Sequence, residues 1–380
     1  MLKKNKNIWW VIPIILVVFI ISYQTTNQEV VTTQLTYFDP TEVPKETVLG
    51  KTDNADEVSW FEVYFTSPKI PFDNKYTGGI EEILIEKIDE SKNSIDVALF
   101  EFDIESVAAA LIRAKDRGVT VRVVYDDEHS NPDPQIYDLI NAGIPAIPDN
   151  RSAYMHNKFF IFDNKCLWTG SFNISMNAAY RNNENAIYFC SDEAARNYQQ
   201  EFQEMFNGQF GAKSPADTPH PVFTIDSARV ENYFAPEDQV MDKVIKNVSL
   251  ATKSIHFMVF SFTHDDLGEA MLKIADDGIE VEGIFETTGA STKYSECGSL
   301  LQAGLDVRLD GNPRTFHHKV IIVDQSIVIL GSFNFSDNAN KSNDENLLII
   351  FSQELAKEYE DEYQRMKAQA IIPQGDTCKK

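Results

Sequence analysis

Residues 155–185 read MHNKFFIFDNKCLWTGSFNISMNAAYRNNEN, and residues 316–346 read FHHKVIIVDQSIVILGSFNFSDNANKSNDEN. Each stretch holds a His, a Lys two residues later, and an Asp after four further apolar residues. A Gly-Ser-Phe-Asn follows in each, and a Glu-Asn closes both stretches at the same distance from the Ser. An isolated His-x-Lys occurs by chance in a chain of this length. Two copies with identical internal spacing predict a duplicated half-site.

The His and Lys of each copy are two residues apart, which predicts that they share one face of a strand. His156 and Lys158 form this pair in the first copy, and His317 and Lys319 form it in the second. A lysine beside an imidazole suits an anionic ligand and would repel a divalent ion, and no Cys or second His stands at zinc-binding spacing. The pattern therefore predicts a phosphate site that needs no metal and no other cofactor.

The doubled pattern H-x-K-x4-D-x6-G-S-x-N resembles that of the phospholipase D superfamily. The resemblance covers roughly residues 61–366, and no motif position is missing. The matching residues are His156, Lys158, Asp163, Gly170, Ser171 and Asn173 in the first copy, and His317, Lys319, Asp324, Gly331, Ser332 and Asn334 in the second. The downstream acids Glu184 and Glu345 match the acid that family members use to orient the His.

The resemblance implies a fold of two α-β-α sandwich lobes related by pseudo-twofold symmetry, with both H-x-K strands at one central cleft. The residue pattern independently predicts the α/β class. Residues 94–102 (SIDVALFEF) and 254–262 (SIHFMVFSF) are nearly continuous apolar strands, as expected when helices cover both faces of a sheet. Each is followed by a helical pattern and a further strand, so the second half repeats the order of the first.

The resemblance also implies the roles of the two histidines. It favours His156 as the nucleophile that attacks phosphorus, and His317 as the acid that protonates the leaving group and then activates water. An imidazole with a pKa of about 6.5 suits both roles near neutral pH. The phosphate oxygens would be held by lysine and asparagine side chains, namely Lys158, Lys319, Asn173 and Asn334.

The aspartates and serines of the two motif copies are the remaining polar positions. Asp163 and Asp324 stand at the exit of a strand, where an Asp commonly forms a turn. We include them in the predicted site, with support of the turn as the favoured role and contact with the ligand as the alternative. Ser171 and Ser332 complete the predicted catalytic set.

Each downstream acid is predicted to orient the His of its own copy, which pairs Glu184 with His156 and Glu345 with His317. The reason is that the spacing inside a copy is fixed, whereas the segment between the copies is free to vary.

The N-terminus predicts a membrane-anchored protein. Three lysines precede the apolar run 8–23, and this basic flank predicts that the N-terminus is inside and that the rest of the chain lies outside the cytoplasmic membrane. Secretion after cleavage of a signal peptide is the alternative. The predicted organisation is a membrane anchor (1–23), a polar spacer (24–57), a first half (58–210), a linker (211–227), a second half (228–370) and a tail (371–380).

Composition bears on the substrate and on the partners. The chain has 34 basic and 58 acidic residues, a net charge of −24. Affinity for a nucleic-acid backbone comes largely from Lys and Arg, so this charge favours a phospholipid over a long nucleic acid. Because one chain carries both half-sites, we expect a monomer. The four cysteines allow three disulfide pairings, which the sequence leaves open: Cys166, Cys190, Cys297 and Cys378.

Three functions are compatible with these features. The favoured one is a phosphodiesterase that hydrolyses phospholipid head groups through a phosphohistidine, with transphosphatidylation if an alcohol replaces water. The second is a metal-independent endonuclease of the same superfamily. The third, a membrane-tethered binding protein without activity, is disfavoured because both motifs are intact.

Overall fold

The computed structural model describes residues 59–130, 134–375 and 378–379, and it contains two mixed β-sheets, one built around each motif copy. The strands of the first sheet are β1 (Phe61–Phe65), β2 (Ser94–Leu99), β3 (Thr120–Tyr125), β4 (Ala146–Pro148), β5 (Phe159–Phe162), β6 (Cys166–Gly170) and β7 (Asn185–Cys190). Their spatial order is β1-β7-β6-β5-β2-β3-β4. β2, β3 and β4 are parallel, whereas β5, β6 and β7 pair antiparallel.

The second sheet repeats this arrangement with one additional strand. Its strands are β8 (Val222–Ile225), β9 (Ala228–Ala235), β10 (Ser254–Val259), β11 (Glu280–Phe285), β12 (Asp306–Leu309), β13 (Lys319–Val323), β14 (Ile327–Gly331) and β15 (Glu345–Phe351). The spatial order is β12-β11-β10-β13-β14-β15-β9-β8. β5 and β13, which directly follow the His-x-Lys motifs, therefore occupy equivalent central positions in their sheets.

The helices repeat in the same way. The first half contains α1 (Ile80–Glu90), α2 (Glu105–Asp116), α3 (Asp127–Ser130), α4 (Pro134–Asn141), α5 (Met176–Tyr180) and α6 (Asp192–Phe206). The second half contains α7 (Val240–Val248), α8 (Asp265–Asp276), α9 (Thr287–Ala290), α10 (Cys297–Gln302), α11 (Asp337–Lys341) and α12 (Gln353–Lys367). The two long helices start in the same manner, since Ser191 and Ser352 accept hydrogen bonds from the amides of Ala194 and Leu355.

Helices α6 and α12 lie between the two sheets and form the central core. Tyr198 and Phe202 of α6 pack there with Phe159 of β5, and Tyr359 of α12 packs with Val320 of β13. Separate apolar cores lie on the outer faces, where α1, α2 and α4 cover the first sheet and α7, α8 and α10 cover the second. The predicted α-β-α arrangement in two lobes is therefore confirmed, and the shared central core fixes one motif copy against the other.

Strands β6 and β14 both end in a glycine, which is the first residue of the Gly-Ser-Phe-Asn segment. Gly170 has a φ of 148°, and a Cβ at this position would lie 2.4 Å from the carbonyl oxygen of Asn185 on the neighbouring strand. Gly331 has a φ of 150° and meets Asn346 in the same way. Any side chain here would push β6 from β7 or β14 from β15, so the motif requires glycine.

Two disulfides settle the pairing that the sequence left open. Cys166 and Cys190 join neighbouring positions of β6 and β7, and Cys297 of α10 is joined to Cys378. The second bridge attaches the predicted tail to the second lobe.

The structure describes the predicted linker but not the predicted anchor and spacer. The predicted linker 211–227 includes β8, which pairs with β9 and places Phe223 and Ile225 in the central core. Prolines around this short strand conceal its alternating pattern in the sequence. The predicted anchor and spacer lie outside the described residues, and no helix within the described ranges has the length and apolarity needed to cross a bilayer.

Candidate active site

The two His-x-Lys motifs lie beside the ends of the opposite copies. The amide of His156 donates a hydrogen bond to the carbonyl of Asp344 at 2.9 Å, and the amide of His317 donates to the carbonyl of Asn183 at 2.9 Å. Asp344 and Asn183 directly precede Glu345 and Glu184, at the starts of β15 and β7. Backbone bonds between the lobes thus place each acid next to the His of the other copy.

The acid–imidazole pairs are crossed between the copies. His156 Nδ1 lies 2.7 Å from Glu345 Oε2, and His317 Nδ1 lies 2.8 Å from Glu184 Oε2. The prediction that each acid serves its own copy is wrong. The argument from spacing was incomplete, because a fixed distance along the chain does not determine which of the two acids lies closer to a given His in space. The crossed contacts follow from the backbone bridges between the lobes.

The serine of each copy bonds to the acid of the same copy. Ser171 Oγ donates to Glu184 Oε2 at 2.7 Å, and Ser332 Oγ donates to Glu345 Oε2 at 2.7 Å. Asn343 Nδ2 donates to the other oxygen of Glu345 at 3.1 Å. These bonds fix each carboxylate in the orientation that engages an imidazole, so the serines act by positioning the acids.

Both lysines are buried and fold back on the preceding histidine. Lys158 Nζ donates to the carbonyl of His156 at 2.6 Å, and Lys319 Nζ donates to the carbonyl of His317 at 2.9 Å. One such bond uses one of the three ammonium hydrogens. The remaining hydrogens are available to an anion between the two lysines, as the sequence predicted.

Aromatic rings that sequence reasoning missed line both histidines. The ring of Phe100 lies 4.6 Å from Lys158 Nζ, and its centroid lies 4.6 Å edge-on from the imidazole of His156. Phe260 has the same relation to the second copy, at 5.1 Å from the lysine and 4.8 Å from the histidine. The signal was present, because both phenylalanines follow the repeated strands β2 and β10 at equivalent positions.

Asn173 and Asn334 are the last residues of the two Gly-Ser-Phe-Asn segments. The Oδ1 atoms of both are buried and have no hydrogen-bond partner among the described residues. A buried polar atom without a partner is costly in a folded protein, so a partner is expected from outside the chain. An amide oxygen accepts hydrogen bonds and cannot bind a phosphate oxygen, so the predicted phosphate contact would be made by the Nδ2 groups, while each Oδ1 would accept from a donor such as water.

Asp163 and Asp324 are not part of the cleft. The carboxylate of Asp163 accepts hydrogen bonds from the amides of Lys92, Asn93 and Ser94, at 2.6 to 3.1 Å. Asp324 accepts the equivalent bonds from residues 252–254. Both adopt a left-handed backbone after β5 and β13, at the ends of the strands opposite the histidines. Contact with the ligand is therefore wrong for these residues, and support of the turn is correct.

Burial controls the charge of the imidazoles and ammonium groups. It lowers the pKa of both histidines below the usual 6.5, and the charges of Lys158 and Lys319 lower that of His156 further. Burial also lowers the pKa of Lys158 to about 8 and that of Lys319 to about 7, although the carboxylates of the cleft oppose this effect. Near neutral pH the imidazoles are therefore neutral, as a nucleophile requires.

The two carboxyls differ electrostatically. Burial raises the pKa of Glu345 to about 8, with Lys158 acting in the opposite direction. Burial acts in the same way on Glu184, but the hydrogen bonds from His317 and Ser171, together with the charge of Lys319 and any charge on His317, outweigh it, and the pKa is lowered. The hydrogen bonds that Glu345 accepts from Ser332 and Asn343 also oppose this rise in pKa, because they favour the ionised form.

Other polar groups near the motifs have structural partners. Arg151 forms ion pairs with Asp149 and Asp344, so its charge is used within the protein. His318 bonds to Asn185 and Glu362 in the central core, away from the cleft.

A potential cation-binding group lies elsewhere, at His256, Glu280 and Glu282. Both ring nitrogens of His256 already contact carboxylates there. β10 carries His256 near its start, whereas Val259 at its end pairs with Lys319, so this group is at the far end of the sheet from the cleft.

Comparison with known proteins matches this site to a family. Residues 84–206 and 244–367, which include both motif copies, match the family described as "Cardiolipin synthase, PLD-like domain". The chain belongs to the phospholipase D superfamily. It is a phospholipase D-like phosphodiesterase from a family of phospholipid-modifying enzymes.

Individual relatives agree with this assignment. The chain is 31% identical over 144 residues to a phospholipase D of Rickettsia conorii, covering 38% of this chain and 72% of that protein. It is 29% identical to the human mitochondrial cardiolipin hydrolase, covering 34% of this chain and 51% of that protein. The structure resembles the crystal structure of phosphatidylserine synthase from Haemophilus influenzae, with a TM-score of 0.60 and 18% identity, over 80% of this chain and 88% of that one. This last similarity concerns the fold.

Proposed function

We propose that this phosphodiesterase hydrolyses the head-group ester of phospholipids through a phosphohistidine intermediate. The crossed acid–imidazole pairs carry the proposal. Each Nδ1 is engaged by a carboxylate, and each Nε2 has no partner among the described residues. A carboxylate that accepts from Nδ1 leaves the lone pair on Nε2, which is the form that a nucleophile or a base requires.

The first step forms a bond between phosphorus and His156 Nε2 and breaks the bond between phosphorus and the leaving alkoxide. His317 Nε2, protonated when the substrate binds, donates its proton to that alkoxide. The imidazolium produced at His156 is stabilised by Glu345 at 2.7 Å. Lys158 and Lys319 neutralise the negative oxygens of the five-coordinate phosphorus.

The second step reverses these roles. His317 Nε2 removes a proton from water while the water oxygen attacks phosphorus, and the bond between phosphorus and His156 breaks. The product is phosphatidic acid, and the site returns to its initial protonation. An alcohol in place of water would give a new phosphodiester by the same steps, which is transphosphatidylation.

Two observations favour a lipid over a nucleic acid. The net charge of −24 opposes association with a long polyanion. The relatives named above are a phospholipase D and a cardiolipin hydrolase, and the predicted N-terminal anchor would place the cleft beside a bilayer. An endonuclease remains the competing function, because the same site can cleave any phosphodiester.

The deciding experiment compares both substrates with the full-length protein in the presence of EDTA. We expect release of head group and phosphatidic acid from phospholipid micelles, no nicking of supercoiled plasmid, and no dependence on added divalent ions. The His156→Ala and His317→Ala double variant is the control for contaminating activity. Plasmid nicking without lipid hydrolysis would establish the nuclease instead, and activity restored only by one specific ion would contradict the metal-free site.

Because the chain contains both half-sites, we propose that the monomer is active, and sizing during the assay tests this.

A further inference from the structure

The segment that follows β1 is attached directly to the wall of the cleft. Thr66 Oγ1 donates to the carbonyl of Asn182 at 2.7 Å and accepts from the amide of Glu184 at 2.7 Å. Glu184 also contacts His317, so Thr66 bonds directly to the residue that orients this imidazole. The chain then leaves the buried cleft and runs across the surface as residues 67–79, with the sequence SPKIPFDNKYTGG.

This surface segment exposes apolar side chains among basic ones. Ile70 is 49% exposed and Tyr76 is 40% exposed. Lys75, next to Tyr76, is also exposed. Asp73 in this segment forms an ion pair with Lys69 at 3.8 Å, which balances one lysine of the segment. An exposed aliphatic side chain, an exposed tyrosine and Lys75 remain, and such side chains are common at a membrane interface.

Two arginines lie against the aromatic residues of this segment. The guanidinium of Arg181 lies 5.8 Å from the ring of Tyr76 and donates to its hydroxyl at 2.7 Å. Arg314 lies 5.8 Å from the ring of Phe72. Asn312 connects the two arginines, since it donates to the carbonyl of Arg181 and accepts from the amide of Arg314. These contacts bring the backbones of both arginines together and place their guanidinium groups against the surface segment.

The same asparagine links the arginines to the catalytic histidine. Asn312 Nδ2 donates to Asn183 Oδ1 at 2.8 Å, and the carbonyl of Asn183 accepts from the amide of His317 at 2.9 Å. The two arginines are therefore held at a fixed position relative to His317, and they are not the ends of a freely moving loop.

In the part of the chain that the structure describes, no carboxylate neutralises the charge of these two arginines. Among the described residues, Arg181, Arg196 and Arg314 form no ion pair with a carboxylate. The other arginines do form such pairs, namely Arg113, Arg117, Arg122, Arg151, Arg229, Arg308 and Arg365. In a chain with 58 acidic and 34 basic residues, the two arginines that are linked to His317 through Asn312 and Asn183 are available for an external anion.

We propose that a rim formed by Ile70, Phe72, Lys75, Tyr76, Arg181 and Arg314 docks the enzyme onto a bilayer that contains anionic phospholipid. Ile70 and Tyr76 enter the interface, and the two arginines and the lysine bind lipid phosphates. This inference rests on the proposed phospholipid hydrolase and names how that activity reaches its substrate. The apolar residues decide against a nucleic acid, which offers no apolar phase to receive Ile70.

The test measures kcat/KM of the full-length protein on two substrates. One is phosphatidylglycerol in mixed detergent micelles, and the other is the soluble diester bis(4-nitrophenyl) phosphate. We expect the ratio of lipid to soluble activity to fall roughly 25-fold for the Arg181→Gln and Arg314→Gln double variant, since each basic residue at an anionic surface contributes about fivefold in affinity. The loss should appear in KM for the lipid, and it should be smaller in micelles of zwitterionic lipid. Ile70→Ser with Tyr76→Ser should lower the ratio for both lipids.

Arg196→Gln is the matched control, because Arg196 is another exposed arginine without an ion pair but lies on α6. It should leave both activities as in the wild type. Equal losses on both substrates in the rim variants would overturn the docking role in favour of a structural one, and a selective loss of DNA binding or nicking would assign the rim to nucleic acid.

If the wild type hydrolyses neither substrate, the proposed function fails but docking is still decided. Titration of the His156→Ala protein with dihexanoyl phosphatidylglycerol micelles measures binding without turnover. We expect the rim variants in this background to bind roughly 25-fold more weakly, and equal binding would overturn the inference.

Discussion

His156 Nδ1 and Glu345 Oε2 lie 2.7 Å apart, although one belongs to the first motif copy and the other to the second. The reciprocal contact joins His317 to Glu184 at 2.8 Å. Neither copy therefore contains a complete acid–imidazole pair. The functional unit is formed by one His-x-Lys segment together with the Gly-Ser-Phe-Asn and Glu-Asn segments of the opposite copy.

Crossed pairing predicts which catalytic step each acid supports. With a substrate that has a good leaving group, we expect Glu345→Gln to slow phosphoenzyme formation by roughly 100-fold or more, the step that depends on His156. Glu184→Gln should instead slow breakdown of the phosphoenzyme, the step that depends on His317. Rapid-quench measurement of both steps tests this. If each substitution impaired the step of the histidine in its own copy, the crossed pairs would not be the catalytic ones.

The roles of the histidines can be separated in the same assay. His317→Ala should still form a phosphoenzyme from a substrate with a good leaving group, because such a group needs little protonation. His156→Ala should form none. Mass spectrometry of the trapped phosphopeptide identifies the modified residue, and a phosphate found on His317 would reverse the assignment.

The buried lysines predict an alkaline limit to substrate capture. Lysine is charged below its pKa, and burial lowers the pKa of Lys319 to about 7 and that of Lys158 to about 8. We expect kcat/KM for a soluble diester to fall above about pH 8 as both cations are lost, whereas kcat falls less because bound phosphate favours the charged forms. A profile of both constants from pH 5 to 10 tests this, and a flat kcat/KM between pH 7 and 9.5 would contradict it.

Asp163 should matter for stability and not for chemistry. Asp163→Ala removes the acceptor of three backbone amides and forces alanine into a left-handed backbone, so we expect a loss of about 1–3 kcal/mol in the free energy of unfolding. Asn at this position tolerates the backbone and is the matched control. Denaturant unfolding measures the change, and the folded fraction should retain kcat.

The pH dependence of the Asp163 contribution has a definite sign. Burial opposes ionisation, but the hydrogen bonds from the amides of residues 92–94 outweigh it, and the pKa of Asp163 is lowered in the folded state. The stabilisation is therefore fully present above the unfolded pKa of about 3.9 and is lost as the pH falls through the lower folded value. The difference in stability between wild type and Asp163→Ala should shrink in this acidic range.

The compartment can be tested through the disulfides and through protease access. We predict that the folded part lies outside the cytoplasmic membrane, where Cys166–Cys190 and Cys297–Cys378 would form. Protease added to intact cells should degrade this part, and thiol labelling should find no free cysteine before reduction. Full protection of a chain that is cleaved after lysis would refute this location.

The sequence predicted the residues of the site better than their contacts. Two copies with equal spacing identified His156, Lys158 and Asn173 with their counterparts, because these chemical types must be present for a phosphate site. Which copy supplies the acid depends on how the lobes face one another, and that is set by packing around α6 and α12 rather than by spacing along the chain.

Other parts of the site were predicted incompletely for reasons of the same kind. The strands and long helices were evident because their apolar patterns are long and repeated. Phe100 was treated as part of a buried strand, although its ring also touches His156. The positions of Arg181 and Arg314 could not be predicted from the sequence, because their contacts are made with residues 67–79, far away in the chain. β8 was missed because its short alternation is flanked by prolines.

The exchange of acids between the lobes also bears on how the site is completed. As the chain is synthesised from its N-terminus, His156 and Lys158 emerge before Glu345 exists. Until the second half has been made, the carboxylate that orients His156 Nδ1 is missing from the chain. A first lobe on its own would have to obtain such an acid from a second molecule, whose Glu184 stands at the equivalent position of the motif.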